Sequence, residues 1–503
     1  MPRNADPNLS KTRFTAGLLC LKLLYLDSYS PELADPVAPS QQALFDAGTA
    51  VGVLARQRFP NGLLIEAPYN AHSRAVTSTP KALADTFIPA IYEAAFTFEG
   101  IRIRVDILSR NSDHTFDLIE VKSSTSVKPE HIPDAAIQLH VLEGSGIPVR
   151  NVFLLHIDNT YVYQGGPYDL EKLFRLEDIT DQARTFLLSV PASLVNMWEV
   201  LHLDDAPPIE IGLRCTRPYR CSFFGFCRQG LPEHHIEQLP RARPEFLDNL
   251  RTSGILDIRN IPLDFPGLSA NQQRVRGAVA TGRPYIGPEL GNALSQAAYP
   301  LHFLDFETFN PPLPVYPGTR PYQVIPFQWS LHVLDSAVGT PSHASFLHDG
   351  SGDPRETFSR SLLDAIGPEG TILVYSSYEQ TIIKQLASDF PQYKERLLAL
   401  PDRLLDLLAL VRAHCYHPDF HGSYSIKAVL PALVPDMSYS DLEIQDGSIA
   451  SIYFTRMIAQ ETQAHEREKI RNALLDYCER DTLAMVRVLA ALQSMSQMTT
   501  SQP

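Results

Sequence analysis

The sequence predicts an α/β protein made of more than one domain. Its 503 residues are too many for a single hydrophobic core, and 44% apolar with 20% charged residues is ordinary for a globular protein. Alternating apolar stretches typical of strands occur in both halves of the chain, together with stretches that have the apolar period of a helix. In each half, acidic residues lie near the ends of predicted strands. We therefore expect two α/β domains with carboxylates at their strand ends.

The charge and hydropathy of the chain exclude some classes of protein. The formal net charge of −14 argues against broad non-specific attraction to nucleic acid, although it is compatible with an enzyme whose carboxylates bind metal ions. No apolar run approaches the length of a membrane span. The stretch "LLCLKLLYL" at 18–26 is short, is interrupted by Lys22 and lacks a small-residue cleavage site, so it does not predict a signal peptide. We expect a cytoplasmic protein without a membrane partner.

The cysteines predict a metal centre in the first half of the chain. Cys215, Cys221 and Cys227 lie close together in "CTRPYRCSFFGFC". In a cytoplasmic chain such a group indicates metal ligation more than disulfides, the alternative being incidental buried thiols. Three thiolates leave a tetrahedral site one ligand short, and Cys20 is the best unassigned candidate. Thiolates suit zinc or an iron–sulfur cluster, and the wide spacing favours the cluster. The remaining cysteines are expected to be buried thiols: Cys415 and Cys478.

Two neighbouring strands carry the first acidic group. "GIRIRVDILSR" (100–110) alternates as a strand with Asp106 near its end, and "TFDLIEVKSSTSV" (115–127) follows with Glu120 and Lys122 on one face. Two such acids can hold Mg²⁺ or Mn²⁺, and the lysine can position a water and stabilise charge on a phosphate. The alternative is a surface ribbon with a cross-strand ion pair.

Residues 1–235 resemble the RecB-like branch of the PD-(D/E)XK nucleases, in particular the iron–sulfur type known from CRISPR adaptation and helicase–nuclease complexes. The resemblance implies a restriction-endonuclease-like core with a [4Fe–4S] cluster held by Cys20 and the three later cysteines. It also implies a catalytic set whose two acids bind the metal, completed by a polar residue on the following helix: Asp106, Glu120, Lys122 and Gln138. Where that family often has a metal-binding histidine in an early helix, "DAGTAVGVLA" offers Gly48 and Gly52. We therefore expect hydrolysis at this site to be weak or absent.

The second acidic group begins in "YPLHFLDFETFNPP" (299–312). Side chains alternate along a strand, so Asp305 and Glu307 point the same way. Two like charges on one face of a core strand repel each other and are costly to desolvate unless a cation lies between them. The alternative is a strand end whose acids are solvated. "IPFQWSLHVLD" reads as a strand that pairs beside this one.

Further acids follow on predicted helices. "GTILVYSSYEQTIIKQLA" (370–387) reads as strand, turn and helix, with Glu379 at the start of the helix. Asp406 lies on the helical stretch "RLLDLLALVRAHCYH". In "ALLDYCERDTLAMVRVLAAL" (473–492), Tyr477 and Asp481 are four residues apart and so lie on one face of an amphipathic helix. These elements can surround one point.

This order of acids resembles the DEDD exonucleases of RNase H-like fold, tyrosine subtype. Residues 300–492 are also similar to a bacterial domain of unknown function found behind RecB-like nucleases, through "FLDFET", "HGSYSIKAVLPAL" and "YCERDTLAM". The resemblance implies 3′ to 5′ hydrolysis by two metal ions about 4 Å apart. It implies that Tyr477 orients the attacking water and that four carboxylates hold the ions: Asp305, Glu307, Glu379 and Asp481. Glu379 stands where that superfamily usually has aspartate, and Asp406 matches a secondary acidic position.

Together these patterns predict two nuclease domains in one chain that use Mg²⁺ or Mn²⁺ on nucleic acid, with DNA favoured over RNA. The expected organisation is a RecB-like domain over 1–235, a helical linker over 236–295, an exonuclease domain over 296–494 and a disordered tail over 495–503. Two alternatives remain at this point. One is a protein that binds nucleic acid or a partner without cutting, because its sites are degenerate. The other is a scaffold whose cysteines hold zinc.

Overall fold

The protein is described from a computed structural model, which covers residues 8–68 and 70–500. It confirms the α/β class, with mixed parallel and antiparallel sheets. The chain forms two compact units. The N-terminal unit comprises 1–229 and 311–323, and the C-terminal unit comprises 230–310 and 324–503. None of the helices in the described part of the chain combines the length and apolarity needed to cross a membrane.

The N-terminal unit is built on a seven-stranded sheet in the order β2-β3-β4-β5-β6-β7, with β1 pairing parallel to β4. Its strands are β1 Leu9–Ser10, β2 Leu63–Leu64, β3 Ala90–Phe98, β4 Ile101–Arg110, β5 Phe116–Lys122, β6 Val149–Ile157 and β7 Phe174–Asp178. Its helices are α1 Lys11–Leu19, α2 Leu21–Tyr29, α3 Pro39–Arg56, α4 His72–Ala84, α5 His131–Gly144, α6 Leu170–Leu173, α7 Thr180–Leu187, α8 Val190–Leu201 and α9 Phe224–Cys227.

The centre of this sheet has the predicted order of strand, strand, helix and strand. Strands β4 and β5 are antiparallel, β5 and β6 are parallel, and α5 connects the parallel pair. Because a parallel pair requires a crossover, the mostly buried helix α5 covers one face of the sheet. A second apolar cluster contains Ile107, Ile119 and Leu155 of the sheet. Leu313 and Tyr322, from the segment 311–323, pack against it.

The C-terminal unit has a five-stranded sheet in the order β11-β10-β9-β12-β13 and a two-stranded sheet of β8 and β14. Its strands are β8 Tyr285–Ile286, β9 Leu301–Phe309, β10 Ile325–Leu334, β11 Ser342–Leu347, β12 Thr371–Val374, β13 Leu404–Asp406 and β14 Cys415–Tyr416. Its helices are α10 Pro244–Thr252, α11 Ala270–Thr281, α12 Leu290–Leu294, α13 Arg355–Ala365, α14 Tyr378–Asp389, α15 Lys394–Ala399, α16 Leu407–His414, α17 Ile426–Leu433, α18 Gly447–Ile458 and α19 Ala464–Thr500.

The two faces of strand β9 meet different partners. Leu304 and Phe306 point into an apolar cluster that also contains buried residues of α13 and α14. On the other face, the ring of Phe309 lies 5.2 Å from that of Phe454 in α18. The alternation of β9 therefore directs Asp305 and Glu307 toward the face covered by α18 and α19.

Three expectations about organisation need adjustment. Residues 236–295, expected to be a helical linker, do contain helices α10, α11 and α12, but they belong to the C-terminal unit. The segment 311–323 belongs to the N-terminal unit, although the chain on both sides of it belongs to the C-terminal one. Helix α19 continues to Thr500, so residues 495–500 are helical, and 501–503 lie outside the described residues.

Candidate functional site

Strand β9 presents the two acids of "LDFET" toward the final helix. Its register with β10 pairs Asp305 with Ser330 and Glu307 with Gln328. The buried amide of Gln328 donates a hydrogen bond of 2.8 Å from its Nε2 to the carbonyl oxygen of Leu474 in α19. This bond fixes α19 across the face of the sheet that carries both carboxylates.

Helix α19 brings Tyr477 and Asp481 to the same point, one turn apart. The Tyr439 hydroxyl donates to Asp481 Oδ1 at 2.5 Å. Lys427 Nζ, from α17, donates to the Tyr477 hydroxyl at 2.9 Å. Both helix side chains are therefore held by residues that lie outside α19.

A cleft of ≈ 820 Å³ joins the predicted residues of the C-terminal unit. Its walls include both β9 acids, the first-turn acid of α14, and the two α19 side chains: Asp305, Glu307, Glu379, Tyr477 and Asp481. Lys427 and Arg412 also line it. Asp406 does not line the cleft. It is the last residue of β13, and its side chain caps α16 by accepting a hydrogen bond from the Ala409 amide at 3.1 Å.

The four carboxylates of the cleft lie at buried or partly buried positions, and burial is the main influence on their ionisation. Burial first, then the neighbouring carboxylates, raise the pKa of Asp305 and of Glu307 well above their ordinary values. Burial is also the main cause that raises the pKa of Glu379 to about 7. Burial raises the pKa of Asp481 as well, despite hydrogen bonds from Tyr439 and Tyr477 and the nearby charge of Lys427. Such a group is strongly stabilised by a divalent cation.

The donor set fits a metal ion. Among the residues that the structure describes, Asp305, Glu307 and Cys478 form a group whose ligand atoms all lie within 4.8 Å of one another. Cys478 Sγ lies 3.6 Å from Asp305 Oδ2. Oε2 of Glu379 is buried without a hydrogen-bond partner among the described residues. An unsatisfied carboxylate oxygen beside three further acids is the environment that a hard cation would complete.

Sequence reasoning missed three residues of this site: Lys427, Tyr439 and Cys478. Lys427 lies within "HGSYSIKAVLPAL", a stretch that supported the resemblance without suggesting a role for the lysine. Cys478 was expected to be buried, and it is, but its place beside Asp305 depends on how α19 packs on β9. Tyr439 carries no local signal, because it lies outside the helices and strands.

The N-terminal unit gathers its predicted acids in a similar way. Ile107 of β4 pairs with Ile119 of β5, so Asp106 and Glu120 are the next residues along the two strands. The Val121 amide donates to Asp106 Oδ2 at 2.8 Å. Strand β5 also carries Lys122, and α5 contributes Gln138, whose Nε2 donates to Glu120 Oε2 at 2.6 Å. All four predicted residues therefore belong to one cluster.

Two further charged residues, Lys11 and Asp134, complete this cluster. Lys11 Nζ lies 2.8 Å from Glu120 Oε1, and Lys122 Nζ lies 2.7 Å from the same oxygen. Asp134 of α5 forms ion pairs with both lysines. Lys11 and Glu120 are 109 residues apart in sequence, so no local pattern indicated this contact.

The two lysines control the ionisation of the N-terminal cluster. Burial opposes the charge on Glu120, but Lys11 and Lys122 outweigh it and hold the pKa of this carboxyl well below its usual range. Burial also opposes the charge on Lys11, and the carboxylates of Asp134, Glu120 and Asp106 reverse the effect, so its pKa is raised. For Asp106, burial and then the charge of Glu120 raise the pKa to about 7.

The four predicted cluster ligands line one cavity: Cys20, Cys215, Cys221 and Cys227. Apolar side chains such as Leu23 and Phe223 form other parts of its wall. Burial, together with the other thiols, raises the pKa of Cys221. Among the described residues, no three of these four sulfur atoms all lie within 4.8 Å of one another, unlike the ligand atoms of the Asp305 group. The thiols thus surround one space without converging on a single point.

Comparison with known proteins identifies one domain. Residues 302–425 match the family model described as Domain of unknown function (DUF2779), which covers part of the C-terminal unit and includes Asp305, Glu307 and Glu379. No curated protein matches the chain. The chain is thus similar over 302–425 to a domain family whose description names no activity.

Proposed function

We propose that the protein is a metal-dependent nuclease whose active site is the cleft of the C-terminal unit. The observation that carries this proposal is the convergence of four carboxylates from β9, α14 and α19 on one cleft, where Glu307, Glu379 and Asp481 are buried and Asp305 is partly buried. Within this class, the tyrosine one turn before Asp481 and the order of the acids favour an exonuclease of the DEDD type with tyrosine. The reaction would be hydrolysis of a phosphodiester bond.

The chain's own residues supply the binding and the positioning. Asp305, Glu307, Glu379 and Asp481 would hold Mg²⁺ or Mn²⁺. When bound, such ions activate a water and neutralise charge that develops on the phosphate. The Tyr477 hydroxyl, held by Lys427 at 2.9 Å, would orient that water toward the phosphorus. Tyr439 keeps Asp481 directed into the site by donating to its Oδ1.

The walls of the cleft suit a nucleic-acid strand. Arg412 and Lys427 provide positive charge for a phosphate backbone in a protein that is otherwise acidic. The aromatic ring of Tyr378, which is 40% exposed at the cleft, can stack against a base. The resemblance of residues 1–235 to nucleases of CRISPR adaptation and helicase–nuclease complexes favours DNA over RNA as the substrate.

The four-cysteine cavity supports a [4Fe–4S] cluster in the N-terminal unit, with zinc as the alternative. A tetrahedral zinc site with sulfurs about 2.3 Å from the metal requires thiolates about 3.8 Å apart. The four thiols are spread more widely than this. A cluster whose thiolates bind separate irons needs more widely spaced thiolates, and Cys20, Cys215, Cys221 and Cys227 all line one cavity.

Digestion of end-labelled nucleic acids tests the proposal. Single- and double-stranded DNA and RNA are incubated with Mg²⁺ or Mn²⁺ and the wild type, Asp305→Asn or Asp257→Asn. Asp257 is a buried acid of the same unit, paired with Arg259 at 2.6 Å and not part of the cleft, so it is a matched control. We expect nucleotides to be released by wild type and control and not by Asp305→Asn. If the wild type and both variants bind nucleic acid and none of them cuts it, the nuclease proposal is refuted.

A further inference from the structure

Lys11 enters the N-terminal cluster from a rigid position. The short strand β1 pairs with β4, with Ser10 opposite Arg102. The Ser10 side chain then caps α1 by accepting from the Arg13 amide at 3.2 Å. Because Lys11 is the first residue of α1, both its strand neighbour and its helix are anchored. Its ammonium group is therefore directed at Glu120 by the fold and is not a mobile surface charge.

Lys11, together with Lys122 and Gln138, occupies both oxygens of Glu120, which a metal ion would need. Glu120 Oε1 accepts from Lys11 at 2.8 Å and from Lys122 at 2.7 Å, and its Oε2 accepts from Gln138 at 2.6 Å. Asp134 carries ion pairs to the same two lysines. The charges of Glu120 and Asp134 are thus already neutralised by lysines of the protein itself.

The cleft of the C-terminal unit shows the opposite arrangement. Among the residues that the structure describes, none of Asp305, Glu307 and Asp481 has an ammonium or guanidinium nitrogen within 4.0 Å. Burial raises the pKa of all three, and neighbouring carboxylates raise the pKa of Asp305 and Glu307 further. The two acidic groups therefore differ in a property that bears directly on metal binding, namely whether a cation of the protein is in ion-pair contact with the carboxylates.

The early helix of the N-terminal unit supports the same distinction. Gly48 and Gly52 lie on α3 and carry no side chain that could bind a metal ion. A Cβ atom at either position would meet nothing within 4 Å, so the structure has open space there and no substitute ligand on these two residues. Lys11, in contrast, contributes a positive charge to the cluster from another element.

We propose that the Lys11 ammonium takes the place of a divalent cation in the N-terminal cluster, so that this cluster binds no metal ion and supports no metal-dependent hydrolysis. Three carboxylates, Asp106, Glu120 and Asp134, are balanced mainly by two ammonium groups. The N-terminal unit would then contribute binding and stability, and hydrolysis would depend on the C-terminal unit. This inference does not rest on the proposed activity of the C-terminal cleft.

Titration with Mn²⁺ tests the proposal by isothermal calorimetry on the full-length chain. The background variant is Asp305→Ala with Asp481→Ala, which removes the C-terminal site. We expect Glu120→Gln to leave the Mn²⁺ isotherm of this background unchanged, because the N-terminal cluster binds no ion. We expect Lys11→Met to add one Mn²⁺ site, at least ten-fold tighter than any in the background, and Glu120→Gln to abolish that added site.

Two results would overturn the proposal. One is Mn²⁺ bound by the background variant with Lys11 intact and lost on Glu120→Gln. The other is a folded Lys11→Met variant that gains no site. Circular dichroism and melting temperature establish that the variants fold, and Lys11→Gln replaces Lys11→Met if the latter does not. The Glu120→Gln comparison needs no change at Lys11, so it decides the question independently.

Discussion

The Tyr477 hydroxyl accepts a hydrogen bond from Lys427 Nζ at 2.9 Å, and the same ammonium lies 5.0 Å from the centre of the Tyr477 ring. It also lies 5.4 Å from the ring of Tyr439, whose hydroxyl holds Asp481. One cation thus contacts both tyrosines of the cleft. This arrangement places the Tyr477 hydroxyl beside the carboxylates and predicts how the site will respond to substitution.

Tyr477→Phe should reduce nucleotide release by about ten- to a thousand-fold, because it removes one positioning hydrogen bond and leaves the carboxylates in place. Lys427→Met should act in the same direction, since it removes the partner of that hydroxyl. Release from a labelled end measures both. Tyr453→Phe, which alters a tyrosine paired with Glu443 outside the cleft, is the matched control and should keep wild-type rates. Undiminished release by Tyr477→Phe would exclude this role for the hydroxyl.

Asp305→Ala should abolish most nuclease activity without unfolding the protein. Removing one of several repelling carboxylates relieves their repulsion in the metal-free state, so the apo melting temperature should stay level or rise slightly. Mn²⁺ should stabilise the wild type by mass action and the variant less. Melting curves with and without Mn²⁺, together with end-release assays, check both points. If Asp305→Ala digests ends as fast as wild type, the paired acids have no part in hydrolysis.

Glu379 should make the metal-free protein less stable as the pH rises. Its pKa is about 7 in the folded state, mainly because of burial, against an ordinary value near 4.5 in the unfolded chain. Between pH 4.5 and pH 7, the folded state keeps a proton on Glu379 that the unfolded chain has lost. The contribution of this proton to the free energy of unfolding is therefore greatest below about pH 4.5 and declines until about pH 7. The full effect is up to about 3 kcal/mol in the free energy of unfolding.

Denaturant unfolding in EDTA at pH 5 and pH 7.5 measures this effect. The wild type should lose stability relative to Glu379→Gln on going to the higher pH, because the glutamine cannot ionise. Glu369→Gln changes a glutamate of the same unit that does not line the cleft, and it should follow the wild type. A wild type and Glu379→Gln that respond identically to pH would contradict the perturbed ionisation of this residue.

Protein purified without air should be brown and contain iron. Cys221→Ser should remove the colour and lower the melting temperature of the N-terminal unit, because metal binding is coupled to folding. Cys415→Ser changes a buried thiol of the C-terminal unit and should keep the colour. Absorption spectra and metal analysis check this expectation. Colourless wild-type protein with one tightly bound zinc would favour the alternative assignment.

Local sequence patterns were sufficient to predict the strands and helices that carry both acidic groups. The alternation of residues 301–309 predicted β9 and the common direction of Asp305 and Glu307, and the four-residue spacing predicted that Tyr477 and Asp481 share a face of α19. The strands bearing Asp106 and Glu120 and the helix bearing Gln138 were also predicted. These features depend on backbone periodicity, which neighbouring residues determine.

Only the tertiary structure decided which charges neutralise the carboxylates. Lys11 lies 109 residues from Glu120 in sequence, and Lys427 lies 50 residues from Tyr477. Cys478 and Asp305 are 173 residues apart and come within 3.6 Å because α19 packs on β9. Electrostatic interaction depends on distance through space and on burial, and neither follows from local periodicity. The sequence by itself therefore determined two strand-borne acidic groups, and the packing of distant elements determined that lysines pair with the carboxylates of one group and, within the described part of the chain, form no ion pair with Asp305, Glu307 or Asp481 of the other.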